Sequence, residues 1–407
     1  MTQQRGRALL SLLWPMTLAG CAEPSSEVRR EPLVPDVAVT ENGRSGRWHS
    51  ERARLVELWR AGGLNEGQEL HVPASIATNH DGYTAIADFG LGEVVVVAPD
   101  GEWLGAWTRM GRGPGEVTTP IAVAWTDQRT LAVFDVMAPK VAFVRAGSAV
   151  AEDLGIDPSF TAPMVAGGEI GWAGVQPSGS VLLQPGRGAR GEASTNVAPM
   201  AVLRLRAGAS SVDTVVAARV PIVQDGPFAG WPLPGWPRPL VALGSRGQLA
   251  AAAPDGTYRV VIYGADGAPL RQLCRQVPPL PLTNAERGAG DVAEPMRPLA
   301  AAIAQAGPPV TPASIGRLIL DPDGRLWVQR DRPSPFDPAA ALHGVAGATF
   351  DVFDVDGRFL GEVGVPAGVR LQSAVGDTVW GLEFGAHDEP WLIAFRIEAV
   401  SAPPRSS

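Results

Sequence analysis

The sequence repeats one pattern: a short run of apolar and β-branched residues, a tight turn, and another such run. The clearest copy extends from Ser75 to Trp107, where three turns, two of them containing Asp-Gly, separate four runs. Because Asp-Gly supplies the positive φ angles of tight hairpins, this order predicts a four-stranded antiparallel meander. The 48 glycines and 38 prolines among 407 residues suit such a turn-rich β fold and argue against a mostly helical one.

The meander recurs along the chain. Residues 319–331 match its first half, residues 350–361 match its second half, and Val260–Tyr263 with Asp266-Gly267 forms another hairpin. The copies can be marked by the residue at the end of each second run: Asp88, Asp135, Gln184, Pro254, Asp331 and Glu383. Six meanders arranged radially bury both faces of each sheet against its neighbours. The sequence therefore predicts an all-β fold, a six-bladed β-propeller of four-stranded antiparallel blades over residues 51–400.

The last copy is incomplete. It shows three runs, over residues 368–373, 377–384 and 391–398, and then the polar segment 401–407, which we expect to be a disordered tail. Upstream of the first full copy, residues 53–59 alternate between apolar and polar with period two, as a half-buried strand does. We therefore expect this N-terminal strand to complete the last blade and close the ring.

Three segments interrupt the repeat. Residues 184–200 are rich in Gly, Arg and Ser and predict an exposed loop, and residues 221–239 hold six prolines and the tryptophans Trp231 and Trp236. Thr283 and Glu286 have the spacing of a capping box, and Pro298 precedes an Ala-rich run. These signals predict a short helical insertion at about residues 280–308.

The N-terminus has the pattern of an export signal. Arg5 and Arg7 precede the apolar run Ala8–Ala19, which is too short to span a bilayer as a helix. The tetrapeptide Leu18-Ala19-Gly20-Cys21 resembles the bacterial lipobox, and this resemblance implies that Cys21 is lipidated and becomes the first mature residue. Residues 1–20 are then the signal peptide and residues 21–50 a polar, flexible tether. This predicts a lipid-anchored protein of the bacterial cell envelope, at the outer membrane or facing the periplasm.

Charge and cysteine content restrict the partners. The chain has 34 basic and 42 acidic residues, a net charge of −8, so we expect no nucleic-acid partner. Cys21 and Cys274 are its two cysteines, and lipidation of Cys21 would leave no pair for an intramolecular disulfide. We expect a monomer.

The stretch Met110–Glu116, with the pattern G-x-G-P-G-E, resembles a signature of the bacterial six-bladed β-propeller lipoproteins, relatives of the NHL-repeat propellers. The resemblance extends over about residues 50–400 and includes the acids Asp88 and Asp135, the Thr283-x-x-Glu286 insertion and Asp323–Trp327. It implies a propeller fold and an envelope location more firmly than an activity, since most members of the family have none assigned.

The same stretch allows two interpretations. Gly113-Pro114-Gly115 forms a turn that places Arg112 and Glu116 on either side. These two residues form a ligand-facing ion pair at a channel mouth, or they belong to a connector between blades whose glutamate binds backbone amides. The second interpretation is favoured.

The acids at the second-strand ends also allow two interpretations. Asp88, Asp135, Asp331 and Glu383 would converge on one rim, where carboxylates could bind Ca²⁺ and support a lactonase- or gluconolactonase-like hydrolase. Alternatively, each accepts backbone N–H bonds at a turn, which is the favoured role for an acid at a strand end. The five histidines lack metal-ligand spacing, and no nucleophile motif is present, so catalysis is not favoured and no metal ligand is assigned.

The preferred hypothesis is a membrane-anchored exported lipoprotein that acts as a binding scaffold for an envelope protein, a peptide or a glycan. Trp231 and Trp236 in the Pro-rich segment are candidates for stacking on a sugar or a partner. The alternative is the Ca²⁺-dependent hydrolase that uses channel carboxylates.

Overall fold

The computed structural model describes residues 34, 37–48, 53–145, 152–158, 170–185, 197–206, 212–290, 292–337 and 343–398. The expected signal peptide, Cys21, residues 186–196 of the expected loop and the 401–407 tail lie outside the described residues. The expected exposed loop over 184–200 is wrong for residues 184–185 and 197–200, which belong to strands. Within them the chain is nearly all β, with six sheets and one α-helix. None of the helices described there is both long and apolar enough to cross a bilayer.

Two strands, β1 (Val39–Asn42) and β2 (Arg54–Gly62), precede the first repeat. Sheet 1 contains β3 (Pro73–Thr78), β4 (Thr84–Asp88), β5 (Glu93–Val97) and β6 (Trp103–Ala106). Sheet 2 contains β7 (Pro120–Trp125), β8 (Thr130–Asp135), β9 (Lys140–Arg145) and β10 (Glu152–Gly155). Sheet 3 contains β11 (Ile170–Val175), β12 (Val181–Pro185), β13 (Val197–Leu205) and β14 (Val212–Pro221).

Sheet 4 contains β15 (Val241–Leu243), β16 (Leu249–Ala252), β17 (Arg259–Tyr263), β18 (Pro269–Arg275) and the added strand β1. The helix α1 (Arg297–Ala306) follows. Sheet 5 contains β19 (Arg317–Leu320), β20 (Leu326–Gln329), β21 (Thr349–Phe353) and β22 (Phe359–Gly364). Sheet 6 contains β23 (Arg370–Val375), β24 (Thr378–Phe384), β25 (Pro390–Glu398) and β2.

Within each sheet, strands that follow one another in the sequence pair antiparallel, as the Asp-Gly turns predict. The first strands of neighbouring sheets contact each other: β3 with β7, β7 with β11, β15 with β19, and β19 with β23. Sheets 3 and 4 meet in a shared apolar cluster that includes Leu182, Val202 and Val241. The strand β23 of sheet 6 contacts β3 of sheet 1, so each of these sheets packs between two others.

Strand β5 shows why these strands are apolar on both faces. Val94 and Val96 pack with residues of sheet 2, whereas Val95 and Val97 pack with Trp380 and its neighbours in sheet 6. Successive side chains in a strand point to opposite faces, so a strand buried between two sheets needs a continuous apolar run. The core is thus a series of layers between sheets.

The N-terminal strand pairs with the last sheet, as its period-two pattern predicts. Strand β2 runs antiparallel to β25, with Arg54 opposite Glu398 and Gly62 opposite Trp391. It supplies the fourth strand that the last repeat lacks. The second strand and the last strand of the described chain are therefore joined by main-chain hydrogen bonds.

The expected tether over residues 21–50 is wrong for residues 37–48, which belong to the fold. Strand β1 pairs in parallel with β18 at the outer edge of sheet 4. The backbone N–H of Trp48 then donates to Leu360 in β22 (2.7 Å), and that of Ala53 donates to Glu362 (2.9 Å). We call residues 37–48 and 53–62 the N-terminal belt, since they cover the outer edges of sheets 4 and 5 and then enter sheet 6.

Asn42 holds the belt between sheets 4 and 5. Its buried side-chain amide donates to the carbonyl oxygens of Gly357 (2.9 Å) and Cys274 (3.2 Å) and accepts from the N–H of Phe359 (2.8 Å). Paired main-chain groups at a sheet edge, together with this amide, offset the cost of ordering a polar segment.

The two insertions pack together, and we call residues 222–240 and 276–316 the cap. Thr283 and Glu286 form the predicted capping box, with Thr283 N–H donating to Glu286 (2.9 Å) and Glu286 N–H donating to Thr283 Oγ1 (3.2 Å). The Pro-rich segment and α1 then share an apolar cluster that includes Leu233 and Leu299. Arg332, which follows β20, donates to Glu286 (3.0 Å) and so ties the cap to sheet 5.

Candidate functional site

Asp88 ends β4 and lies fully buried beside the start of β3. Its carboxylate oxygens accept hydrogen bonds from the backbone N–H groups of His71 (2.7 Å), Val72 (2.9 Å) and Leu91 (3.1 Å). His71 and Val72 belong to the connection that enters sheet 1, and Leu91 belongs to the turn after β4. Asp88 therefore fastens this connection to the turn.

Asp135 repeats the arrangement in sheet 2. It is fully buried at the end of β8 and accepts from the backbone N–H groups of Thr118, Thr119 (3.2 Å), Met137 (3.0 Å) and Ala138 (3.0 Å). The Thr118 hydroxyl donates to the same carboxylate (3.0 Å). The two aspartates thus hold equivalent connections in neighbouring sheets.

The other two second-strand acids have different surroundings. Asp331 is half-buried and accepts from the backbone N–H of Thr349 (2.9 Å). Glu383 pairs with Arg60 of the belt (3.3 Å) near the surface. Neither of them holds the entry to a sheet in the way that Asp88 and Asp135 do.

A shared Ca²⁺ site does not fit these four acids. Among the described residues, no three side chains of His, Cys, Asp or Glu lie close enough together to hold a metal ion. In addition, the lone pairs of Asp88 and Asp135 already face backbone N–H donors, so a cation there would meet hydrogen atoms as well as oxygens. We therefore derive no reaction step through calcium.

The segment around Gly113 is a connector between sheets 1 and 2. Glu116 accepts from the backbone N–H of Gly113 (2.8 Å) and pairs with Arg109 (2.8 Å), and these two contacts lower the pKa of Glu116. Arg112 is exposed, and its guanidinium pairs with no described residue. The structure thus brings Glu116 to Arg109 and a main-chain amide, not to Arg112.

Lys140 and Asp153 anchor the same connector to sheet 2. The Lys140 ammonium is nearly buried, donates to the carbonyl of Gly113 (3.0 Å) and pairs with Asp153 (2.7 Å). Asp153 also accepts from the N–H of Gly115 (3.2 Å). These contacts hold the turn in one conformation.

Trp231 and Trp236 lie in the cap, partly buried against α1. Trp231 packs edge-to-face on Phe228, with ring centroids 5.0 Å apart. Their rings therefore contribute to the small apolar core of the cap. In the described contacts, these rings do not form an exposed surface for stacking.

A polar junction joins sheets 5 and 6 where β19 begins. Arg317 donates to Gln372 (2.9 Å) and to the carbonyl oxygen of His343. Burial lowers the pKa of Arg317 to about 10, and burial together with the positive charges of Arg317 and Arg370 lowers the pKa of His343 to about 3. His343 is thus a neutral imidazole at physiological pH, packed on Phe384 with ring centroids 5.2 Å apart.

Asp321 lies in the turn at the other end of β19 and is 1% exposed. Its Oδ1 accepts from the N–H of Arg325 (2.7 Å), whereas its buried Oδ2 accepts no hydrogen bond. Burial raises the pKa of Asp321 to about 6. The charged form of this side chain is therefore destabilising in the folded protein.

A groove of about 460 Å³ opens beside sheet 1. We call it the sheet 1 groove, and its lining includes Glu69, His71, Glu93, Val95, Trp103 and Gly105. They come from the β2–β3 connection, from β5 and from β6. Sequence reasoning missed this groove because no single segment contains a motif for it.

No protein-family model and no curated protein matches this sequence. Solved structures do resemble the fold. A member of the DUF4221 family from Bacteroides vulgatus is 11% identical and has a TM-score of 0.51, and the match covers 86% of this chain and 99% of that one.

Two further structures have TM-scores below 0.5. A Bacteroides fragilis protein described as exported is 10% identical, with a TM-score of 0.46 and coverage of 89% of this chain and 100% of that one. A gluconolactonase from Xanthomonas campestris is 13% identical, with a TM-score of 0.38 and coverage of 85% and 90%. The structural neighbours are propeller-type proteins, and at such identities the likeness supports a β-propeller architecture and nothing about activity.

Proposed function

We propose that this protein is a non-catalytic binding scaffold, a closed six-bladed β-propeller held at the bacterial cell envelope by a lipid on Cys21. The six described sheets would be the blades. The contact of β23 with β3 and the pairing of β2 with β25 support ring closure, because a closed ring leaves few exposed sheet edges.

The observation that carries a scaffold role over a catalytic one is the environment of Asp88 and Asp135. A metal-dependent hydrolase needs carboxylate oxygens that are free to bind the ion. Here both side chains are fully buried, and both accept several backbone N–H bonds from connections between sheets. Their contribution is to hold the connections that enter sheets 1 and 2.

The envelope location rests on the lipobox-like sequence that ends at Cys21. Because the fold includes the belt from residue 37, the tether between lipid and fold would comprise residues 22–36. At roughly 3.3–3.6 Å per extended residue, such a segment reaches about 50 Å at most. The propeller would then work close to the membrane, on an envelope protein, a peptide or a glycan.

Membrane fractionation of a Gram-negative host tests this proposal. We expect Cys21→Ser to leave the membrane fraction, because it removes the acceptor of the lipid. Cys274→Ser is the matched control, since this second cysteine lies in β18 and should leave partitioning unchanged. A Cys21→Ser protein that stays with the membrane would contradict lipid anchoring.

The Ca²⁺-dependent hydrolase is tested separately. A scaffold should show the same melting temperature in calcium and in chelator, and no hydrolysis of lactones or simple esters. Strong stabilisation by calcium, together with hydrolysis that disappears in Asp135→Asn, would favour the enzyme instead.

A further inference from the structure

The sheet 1 groove has two chemically different ends. Asp88 and Glu93 are cross-strand partners, and Asp88 accepts from the backbone N–H of His71, so Glu93 and His71 lie toward the same end. Trp103 is the cross-strand partner of Val97, four residues further along β5. At roughly 3.3 Å per residue, the aromatic end is about 13 Å from the acidic end.

The base of the groove between these two ends is formed by apolar residues with small side chains or none. Val95 lies between Glu93 and Val97 on the same face of β5, and its partner on β6 is Ala106. Gly105 precedes Ala106, at a register shift in β6, with φ of 83°. A small residue in a left-handed conformation lets a ligand approach the backbone closely.

Glu69, two residues before His71, lines the groove together with Glu93, and the two acids have no basic partner there. Glu69 is exposed and Glu93 is half-buried, and neither forms an ion pair within the described part of the chain. The groove is lined by no Lys or Arg. Two carboxylates that face one cavity repel each other, and a cation between them would relieve that repulsion.

The lining of the groove favours an organic cation over a metal ion. No three acidic or histidine side chains within the described residues are placed to hold a metal ion, so a bare divalent ion has too few ligands here. An organic ammonium needs only hydrogen-bond acceptors at one end. Its carbon skeleton can lie on Val95 and Gly105. Trp103 packs partly buried against the same apolar cluster as Val95, and the part of its ring that lines the groove can stack on the ligand or make a cation–π contact.

We propose that the sheet 1 groove binds an elongated organic cation, with an ammonium group between Glu69 and Glu93 and an apolar or sugar face toward Trp103. The volume of about 460 Å³ is in the range of small-ligand sites. This inference rests on the proposed binding role and names the ligand class for it. Amino sugars and polyamines both present this chemistry.

Isothermal titration calorimetry of the full chain tests the proposal with three probes: chitobiose, which is an amino disaccharide, its neutral N,N′-diacetyl form, and spermidine. We expect chitobiose to bind at least tenfold more tightly than the diacetyl form. Binding should weaken with added salt because the contact is electrostatic. Spermidine distinguishes the two ligand classes, which would both use the same ammonium site. If spermidine binds as tightly as chitobiose or more tightly, the ligand is a polyamine. If spermidine binds more weakly than chitobiose, the ligand is an amino sugar.

Variants locate the site. Glu93→Gln should weaken binding of the preferred amine roughly tenfold or more, because one charge-assisted hydrogen bond is lost. Trp103→Leu should weaken it as well. Glu102→Gln is the matched control, since this exposed acid neighbours Trp103 but does not line the groove. Melting curves of each variant establish that the fold is intact.

Three results would overturn the inference: equal or tighter binding of the diacetyl form, unchanged binding by folded Glu93→Gln, or no binding of either amine. If no amine binds while Cys21→Ser still leaves the membrane, only the groove inference fails. If chitobiose binds and is consumed, the groove inference stands and the non-catalytic proposal fails.

Discussion

Replacing Asp88 by alanine separates a structural from a metal-binding role. In the folded protein its carboxylate accepts from the backbone N–H groups of His71, Val72 and Leu91 at 2.7–3.1 Å. Asp88→Ala leaves all three donors without a partner at a position where the side chain is fully buried. The expected result is a large loss of stability in the presence and absence of calcium.

The magnitude follows from these three bonds. Leaving one buried donor unpaired costs about 1–3 kcal/mol of folding free energy. Water can reach part of this connection, so the lower end of that range applies. For three donors the total loss is then about 3–5 kcal/mol. Unfolding a fold of about 350 residues has an entropy near 0.7 kcal/mol per kelvin, from about 2.1 cal/mol/K per residue. The apparent melting temperature should therefore fall by about 4–7 °C.

Thermal melts and urea titrations measure this effect. Asp88→Asn keeps one acceptor oxygen and should lose less than half as much. Asp100→Ala is the control, because Asp100 is an exposed turn residue that accepts only from the N–H of Glu102 (3.1 Å). If Asp88→Ala had the same melting temperature as the unmodified protein, the buried hydrogen bonds would not be holding the connection. If it melted lower only in calcium, the carboxylate would be a metal ligand.

Two further predictions concern other buried polar groups. Because burial raises the pKa of Asp321 from 3.8 to about 6, the folded state binds an extra proton between these values, so stability should fall as pH rises from about 4 to 6. Asp321→Asn should abolish this loss, up to roughly 3 kcal/mol, and stabilise the protein at pH 7.5; urea titrations that gave both proteins the same pH dependence would contradict it. Asn42→Ala should destabilise by about 2–4 kcal/mol, because it leaves the N–H of Phe359 and the carbonyl of Gly357 unpaired, and amide exchange at Phe359 should accelerate. Asn65→Ala, an exposed asparagine on the β2–β3 connection, is the control, and equal exchange rates in the two variants would count against the role of the belt.

Much of the fold could be predicted because its signals are local. The Asp-Gly turns fixed the hairpins, as with Pro99-Asp100-Gly101 between β5 and β6. The capping box at Thr283 and Glu286 needed only four residues. The pairing of β2 with β25 followed from counting, since the last repeat showed three strands and residues 53–59 had a strand pattern without a partner.

The remaining features depend on distant groups. The first part of the belt could not be predicted because residues 37–48 have no apolar period, and their stability comes from main-chain groups of β18 and β22 far along the chain. Asp88 could be placed at a strand end, but two of its N–H donors, His71 and Val72, belong to another segment. The sheet 1 groove needs Glu69, Glu93 and Trp103 together, which only the packing of sheet 1 brings about.

The belt also determines when the fold can be completed. Strand β2 is synthesised before β3–β25, yet it pairs with β25, with Arg54 opposite Glu398. The side chain of Asn42 likewise accepts a hydrogen bond from Phe359, which is synthesised much later. Closing such long loops costs little at equilibrium, because the entropy grows only logarithmically with length, but it makes folding slow. The N-terminal segment must therefore remain without its partners while nearly all of the chain is made. A chain cut short before β25 would leave both β2 and β24 with open edges, so sheet 6 can be completed only after β25 has been made.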